Sequence, residues 1–132
     1  MQCYSMPLRV YLEDTDAGGI VFYANYLKHM ERARTEWLRA CGVELDQWQS
    51  QHCRMFVVRE THVHYLKPAR FNDELVVSAK LLTLKPASLV CEQTIMKGTD
   101  LLVSATVRLA CVNTDTLAPC AIPTEIREAI VS

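Results

Sequence analysis

Asp14-Thr15-Asp16-Ala17-Gly18-Gly19-Ile20-Val21-Phe22-Tyr23 separates a short strand pattern from a long helix pattern, and its reading decides the fold. The paired glycines accept backbone angles that other residues resist, and aspartate favours turns and helix starts, so regular structure breaks here. Before the break, Val10 and Leu12 alternate with Arg9 and Tyr11, which predicts a strand over about Pro7 to Glu13. After it, a helix is predicted over about Tyr23 to Cys41, with Gly42 as its stop signal. Leu27, Met30, Trp37, Leu38 and Cys41 share one side, and Tyr26, Ala33 and Ala40 widen it; Arg34 is the one charged interruption. Lys28, Glu31, Arg32, Thr35, Glu36 and Arg39 form the opposite, solvated side, where Lys28 with Glu31 and Arg32 with Glu36 are neighbouring opposite charges. So broad an apolar stripe must be covered by other structure.

The cover comes later in the chain. Leu45 to Gln51 reads as a short helical turn or a loop. Met55 to Lys67 is rich in Val, Thr, Tyr and Phe and ends at Pro68, and Glu74 to Leu84 places Leu75, Val77, Ala79 and Leu81 on one side. Ser88 to Lys97 and Leu101 to Asn113 pair as a hairpin across Gly98-Thr99-Asp100. A brief amphipathic helix is predicted over about Thr124 to Val131, with Thr124 as N-cap. Except for the connection holding the long helix, the links are too short for parallel crossovers. The pattern predicts an α+β fold: an antiparallel sheet packed on one helix.

Composition narrows the class. The chain has 132 residues, half of them apolar, which fits one domain over residues 1–132 with a core of its own. A net charge of −1 excludes nucleic-acid binding by bulk positive charge. No apolar run approaches the length of a membrane span, and no signal-peptide pattern opens the chain, so a soluble cytoplasmic protein is expected. Cys3, Cys41, Cys53, Cys91, Cys111 and Cys120 form no C-x-x-C pair and show no zinc spacing, and in that compartment they are expected to be free, mostly buried structural thiols.

Chemistry has few places to sit. G-x-S-x-G and the phosphate-binding G-x-x-x-x-G-K-[ST] are both missing. Glu60, His62 and His64 share a strand face, but without a third histidine or H-E-x-x-H they read as exposed polar residues rather than a metal site. No metal or cofactor is expected. Asp14 and Asp16, taken alone, read as turn residues. The apolar Ile20-Val21-Phe22-Tyr23 that follows changes this, because a carboxylate against apolar surroundings is less hydrated and more basic. Free N–H groups at the start of the helix can stabilise an oxyanion. Together they make a workable acyl-transfer site, the carboxylate acting as nucleophile or as general base on water.

Tyr11-x-x-Asp14 through Tyr26, continuing into Glu31-Arg32-Ala33-Arg34-Thr35-Glu36, resembles the signature of the 4-hydroxybenzoyl-CoA thioesterase family, and within it the YbgC-type acyl-CoA thioesterases. Tyr65-Leu66-Lys67-Pro68-Ala69-Arg70, Asp73-Glu74-Leu75, Lys85-Pro86-Ala87-Ser88 and Glu92-Gln93 extend the resemblance over nearly the whole chain. The resemblance implies a hotdog fold, a curved antiparallel sheet wrapped around one long helix. It implies hydrolysis of an acyl-CoA to a carboxylic acid and free CoA, in a homodimer or homotetramer with sites at the subunit interface. The family's catalytic carboxylate maps to Asp16 and its carbonyl-polarising N–H to Tyr23. Gly19, Lys67, Arg70, Lys85 and Ser88 are the substrate-binding candidates; the three basic residues would meet the CoA phosphates, although by themselves they read as ordinary surface charge.

Many YbgC-type proteins have a histidine where this chain has Tyr23, and Phe22-Tyr23 instead resembles the aromatic pair of the 4-hydroxybenzoyl-CoA enzymes. The resemblance therefore carries the reaction class and leaves the acyl group open. The alternative is a non-catalytic acyl-binding or interaction module with cell-envelope or acyl-carrier-protein partners, against which the intact Asp16 and Gly18-Gly19 speak. A hotdog acyl dehydratase would use a histidine, and none lies in the Asp14–Asn25 block.

Overall fold

The computed structural model describes residues 3–131; Met1, Gln2 and Ser132, the ends of the expected domain, lie outside the described residues. The helix forms as predicted, as α1 (Tyr23–Ala40), and the hydrogen-bond pattern explains its end. Gly42, at φ +90°, lets its own N–H reach the Arg39 carbonyl (2.9 Å) and the Val43 N–H reach the Leu38 carbonyl (2.8 Å). This left-handed exit satisfies carbonyls that a helix end otherwise leaves open. Tyr26, His29, Met30, Ala33, Trp37 and Leu38 are its buried residues. Leu27, expected on the apolar side, is 42% exposed. On the solvated side the ion pairs differ from those expected: Arg39 takes both Glu36 and Glu44.

The sheet that covers α1 has β1 (Cys3–Arg9), β2 (Arg54–Tyr65), β3 (Glu74–Leu84), β4 (Ser88–Lys97) and β5 (Asp100–Asn113). Their order is β1-β3-β4-β5-β2, and every pairing is antiparallel. The β4–β5 hairpin turns where predicted, pairing Lys97 with Asp100. Two short helices complete the chain: α2 (Leu45–His52), which resolves the turn-or-loop segment as a helix, and α3 (Thr124–Val131).

The first strand needs correction. It ends at Arg9, and Leu12–Asp14 forms a 3-10 turn. The cause is local: the Tyr11 N–H donates to Asp14 Oδ2 (2.9 Å), offering the backbone an alternative to the sheet ladder. Val10 is buried as the alternation predicts, while Leu12 is 68% exposed.

The core has two parts, one for each half of α1. Val10, Val21, Tyr26, Met30 and Ala33 pack with Leu75, Val77, Ile95 and Val103 of the sheet. Trp37 and Leu38 pack with Leu89, Val107 and Leu109, and with Trp48, Ile126 and Ile130 from the short helices. Between them lies a polar pin. Arg34 Nη1 donates to Gln93 Oε1 (2.9 Å), and Gln93 Nε2 donates to the carbonyls of Met30 (2.9 Å) and Ser78 (3.1 Å). Gln93 is fully buried, so the charged interruption of the stripe is paired to the sheet rather than turned to solvent.

Candidate active site

The loop begins as a tight hairpin. The Gly19 N–H donates to the Asp16 carbonyl (3.0 Å), the Asp16 N–H donates to the Ile20 carbonyl (2.9 Å), and Thr15 bridges Val21. Gly19, at φ +79°, takes the left-handed position that closes the turn. Asp16 Oδ1 accepts the Gly18 N–H at 2.8 Å, an aspartate turn that fixes the carboxylate on its own backbone. Among the described residues Oδ2 has no hydrogen-bond partner.

The return arm runs straight into α1. The Phe22 N–H donates to the Asp14 carbonyl (2.9 Å), and the helix then starts at Tyr23 with no side-chain cap. The N–H groups of an uncapped first turn point away from the helix and keep their capacity for an acceptor. Asp16 and the Tyr23 N–H thus sit on the two segments joined by one short hairpin.

A second segment docks on this hairpin. The Val21 N–H donates to the Ala69 carbonyl (2.8 Å), and Ile20 bridges Arg70. The Tyr26 hydroxyl accepts the Ala69 N–H (3.0 Å), and burial pushes the Tyr26 phenol above its ordinary pKa against that hydrogen bond. Arg70 is further held by its N–H to Asp73 Oδ2 (2.9 Å). Burial opposes ionisation of Asp73, but the Arg70 N–H and Lys97 Nζ, 3.0 Å from Oδ1, hold its carboxyl below the usual range.

The structure therefore brings together four of the candidates: Asp16, Gly19, Tyr23 and Arg70. Lys67 lies on the same connection but pairs with Asp100 (3.3 Å). Lys85 and Ser88 flank the β3–β4 turn, where the Lys85 N–H meets the Ser88 carbonyl (2.8 Å). That turn is at the far end of β3 from Asp73, and the 11 residues of the strand span about 35 Å. Within one chain these two do not join the loop.

The expected apolar surroundings of Asp16 are not supplied by its own chain. Val21 is buried, but Asp16 is exposed, and Phe22 and Tyr23 are 44% and 61% exposed. Val21 is buried against Ala69 and Ile20 is half-buried beside Arg70, while Asp16 to Gly19 stand exposed at the turn. Phe22, Tyr23 and Tyr65 form an open aromatic surface, with ring centroids 4.8 Å (Phe22–Tyr23) and 6.1 Å (Tyr23–Tyr65) apart.

Two neighbours of the loop escaped the sequence reading. Asn25 Nδ2 donates to the Asp14 carbonyl (2.8 Å), and His29 Nε2 lies 3.6 Å from Asp14 Oδ1, with no hydrogen bond of its own. Their four-residue spacing on α1 is the signal that places both over Asp14. Burial lowers the His29 pKa, and Asp14 opposes that shift. Tyr11, Asp14, His29, Arg32 and Val77 line a cavity of about 230 Å³ behind the loop. Elsewhere, His62 pairs with Glu60 (2.9 Å), which also meets Arg108 (3.4 Å), on an exposed part of β2. Among the described residues no two cysteines form a disulfide; Cys91 and Cys111 are buried, but Cys3 and Cys53 are exposed against the expected mostly buried set, and burial pushes Cys91 up to about 12.

Comparison with known proteins agrees with this architecture. The family model of the thioesterase-like superfamily matches residues 10–130. The chain is 40% identical to the acyl-CoA thioesterase YbgC of Haemophilus influenzae, over 96% of this chain and 93% of that protein. It is 38% identical to the acyl-CoA thioester hydrolase YbgC of Escherichia coli O6:H1, over 93% and 92%. Among solved structures, a probable thioesterase from Bartonella henselae superposes with TM-score 0.87 at 32% identity, covering 92% of this chain and 99% of that one. The gentisyl-coenzyme A thioesterase BH1999 superposes with TM-score 0.86 at 28% identity, covering 96% and 99%. With its five-stranded antiparallel sheet wrapped on α1, the chain has the hotdog fold and belongs to the thioesterase-like superfamily, in the family of the YbgC acyl-CoA thioesterases.

Proposed function

We propose that this protein hydrolyses the thioester of an acyl-CoA to a carboxylic acid and free CoA, with Asp16 as its catalytic carboxylate. The observation that carries the reading is the pairing of an exposed, backbone-held carboxylate with an uncapped helix start across one hairpin. The substrate carbonyl oxygen would accept the Tyr23 N–H, which stabilises negative charge as it develops on that oxygen. Asp16 then attacks the carbonyl carbon and expels the CoA thiolate, leaving a mixed anhydride for water to open, or it takes a proton from a water that attacks instead. Relatives named as acyl-CoA thioesterases over nearly the full chain support the substrate class.

In this reading residues 1–132 act as one domain, and a second copy covers the open aromatic surface and supplies the dry surroundings that Asp16 lacks in a single chain. Gly19 lets the substrate approach the turn, and Arg70 and Lys67 meet the CoA phosphates from the connection beside the hairpin. Lys85 and Ser88, remote from the loop in their own chain, serve the site of a neighbouring copy. An acyl carrier protein carrying the same thioester is the second substrate form to test.

The test is thiol release from a panel of aliphatic and aromatic acyl-CoAs. Wild type is expected to turn over at least one, and Asp16→Asn should lower turnover by on the order of a thousandfold or more. Near-normal turnover in Asp16→Asn removes Asp16 from the chemistry; no release from any acyl-CoA or acyl carrier protein leaves an acyl-binding module. A single turnover in ¹⁸O-labelled water separates the two routes, since label left in Asp16 requires covalent attack.

A further inference from the structure

The reaction needs Asp16 and the Tyr23 N–H at a set distance, yet the two belong to different segments. Asp16 follows the 3-10 turn that ends at Asp14, and Tyr23 is the first residue of α1. The hairpin bonds join the arms at Thr15 and Val21, and Phe22 alone separates Val21 from α1. Two donors from the start of α1 converge on one acceptor in the other arm. The Asp14 carbonyl takes the Phe22 N–H at 2.9 Å and Asn25 Nδ2 at 2.8 Å, using both of its lone pairs. Asp14 is itself anchored, because its Oδ2 takes the Tyr11 N–H at 2.9 Å. Asn25 is the third residue of α1, so its bond ties the first turn of the helix, which carries the Tyr23 N–H, to the arm that carries Asp16.

We propose that Asn25 is a positioning residue for thioester hydrolysis: by bonding the Asp14 carbonyl it holds the polarising Tyr23 N–H in register with Asp16. The inference rests on the assignment of Asp16 and Tyr23 made above. It goes beyond that assignment by giving a role to a side chain that touches neither substrate nor the reacting atoms. A displacement of about 1 Å between reacting groups costs on the order of a hundredfold in rate, so a single clamp bond is enough to matter.

The experiment compares Asn25→Ala, Asn25→Asp and Asp16→Asn with wild type on an acyl-CoA that wild type hydrolyses, following kcat, KM and Tm, with amide hydrogen exchange at Phe22 and Tyr23. Asn25→Ala should lower kcat by about ten- to a hundredfold, leave KM within about twofold, and speed exchange at the helix start. Asn25→Asp sets a carboxylate against the Asp14 carbonyl when ionised and restores a donor when protonated. Its kcat, as a ratio to wild type at the same pH, should therefore rise as pH falls, which loss of packing would not produce. A kcat in Asn25→Ala within twofold of wild type overturns the proposal, and so does a loss that follows Tm with a flat pH ratio. Exchange that speeds up while kcat is unchanged shows a clamp without a catalytic role and also overturns it. If Asp16→Asn keeps its activity, the assignment of Asp16 falls and the proposed register with Asp16 falls with it; if Asp16→Asn loses activity and Asn25→Ala does not, the Asn25 proposal alone is overturned.

Discussion

Both halves of α1 pack on the sheet, but only the N-terminal half begins on an open turn. Around Arg34 and Trp37 the helix is enclosed: Trp37 and Gln93 are fully buried, and the one charge on the stripe is bonded across to β4. At Phe22 and Tyr23 the helix starts without a side-chain cap, under aromatic rings that are about half exposed, beside a carboxylate on an open turn. The enclosed half holds the sheet to the helix. The open half keeps donors and a carboxylate unspent, which is what chemistry needs and what folding alone would not retain. Activity and stability should therefore separate along the length of a single element.

The largest effect on that separation comes from the enclosed half. Trp37→Ala removes a fully buried indole and should cost about 3–5 kcal/mol in denaturant unfolding. Gln93→Leu leaves Arg34 and the carbonyls of Met30 and Ser78 without their partner and should cost about 1–3 kcal/mol. An unchanged unfolding midpoint for Gln93→Leu would show that the pin adds nothing to the core. At the open half, Phe22→Ala should change unfolding by no more than about 0.5 kcal/mol, measured at a concentration where the chain is monomeric. The same variant should alter KM for the acyl-CoA, because the ring lies beside the proposed carbonyl site. Equal stability losses at Phe22 and Trp37 would break the contrast.

The smallest expected effect tests the boundary between the halves. Burial, opposed by Asp14, keeps the folded-state pKa of His29 below its usual value. An unfolded chain takes up that proton near pH 6.5. Below that pH the unfolded state binds more protons than the folded one, so His29 lowers stability as pH falls and has no effect above it. His29→Gln should flatten the acid side of a Tm–pH curve and leave the neutral side unchanged. A curve with the same acid slope would remove His29 as its cause.

Much of the architecture was legible in order. The apolar spacing from Tyr26 to Trp37, Gly42 as the stop, and the Gly98-Thr99-Asp100 turn all produced the elements their patterns imply. The first strand was misread because Val10 and Leu12 alternate correctly, while a hydrogen bond from the Tyr11 N–H to the Asp14 side chain turns the backbone before Leu12 can join the sheet. Arg34 was an anomaly on the stripe because its partner lies 59 residues away. The candidate site was legible as a turn with two aspartates followed by a helix. Asn25 and His29 belong to neither the apolar stripe nor the charged side of the helix, so neither pattern points to them, although their four-residue spacing sets both over Asp14.

The sequence by itself determined most element types, the break at Asp14–Gly19, the long helix and the family to which the chain belongs. The elements follow from backbone angles and side-chain periodicity, which act between residues a few positions apart, and the family follows from the motif residues that match it. Only the tertiary structure decided that β1 stops at Arg9, that Gln93 answers Arg34, that Arg70 docks beside the hairpin while Lys85 does not, and that Asp16 stands exposed in its own chain. Those outcomes depend on which distant segments pack together, and no local pattern encodes a partner many residues away.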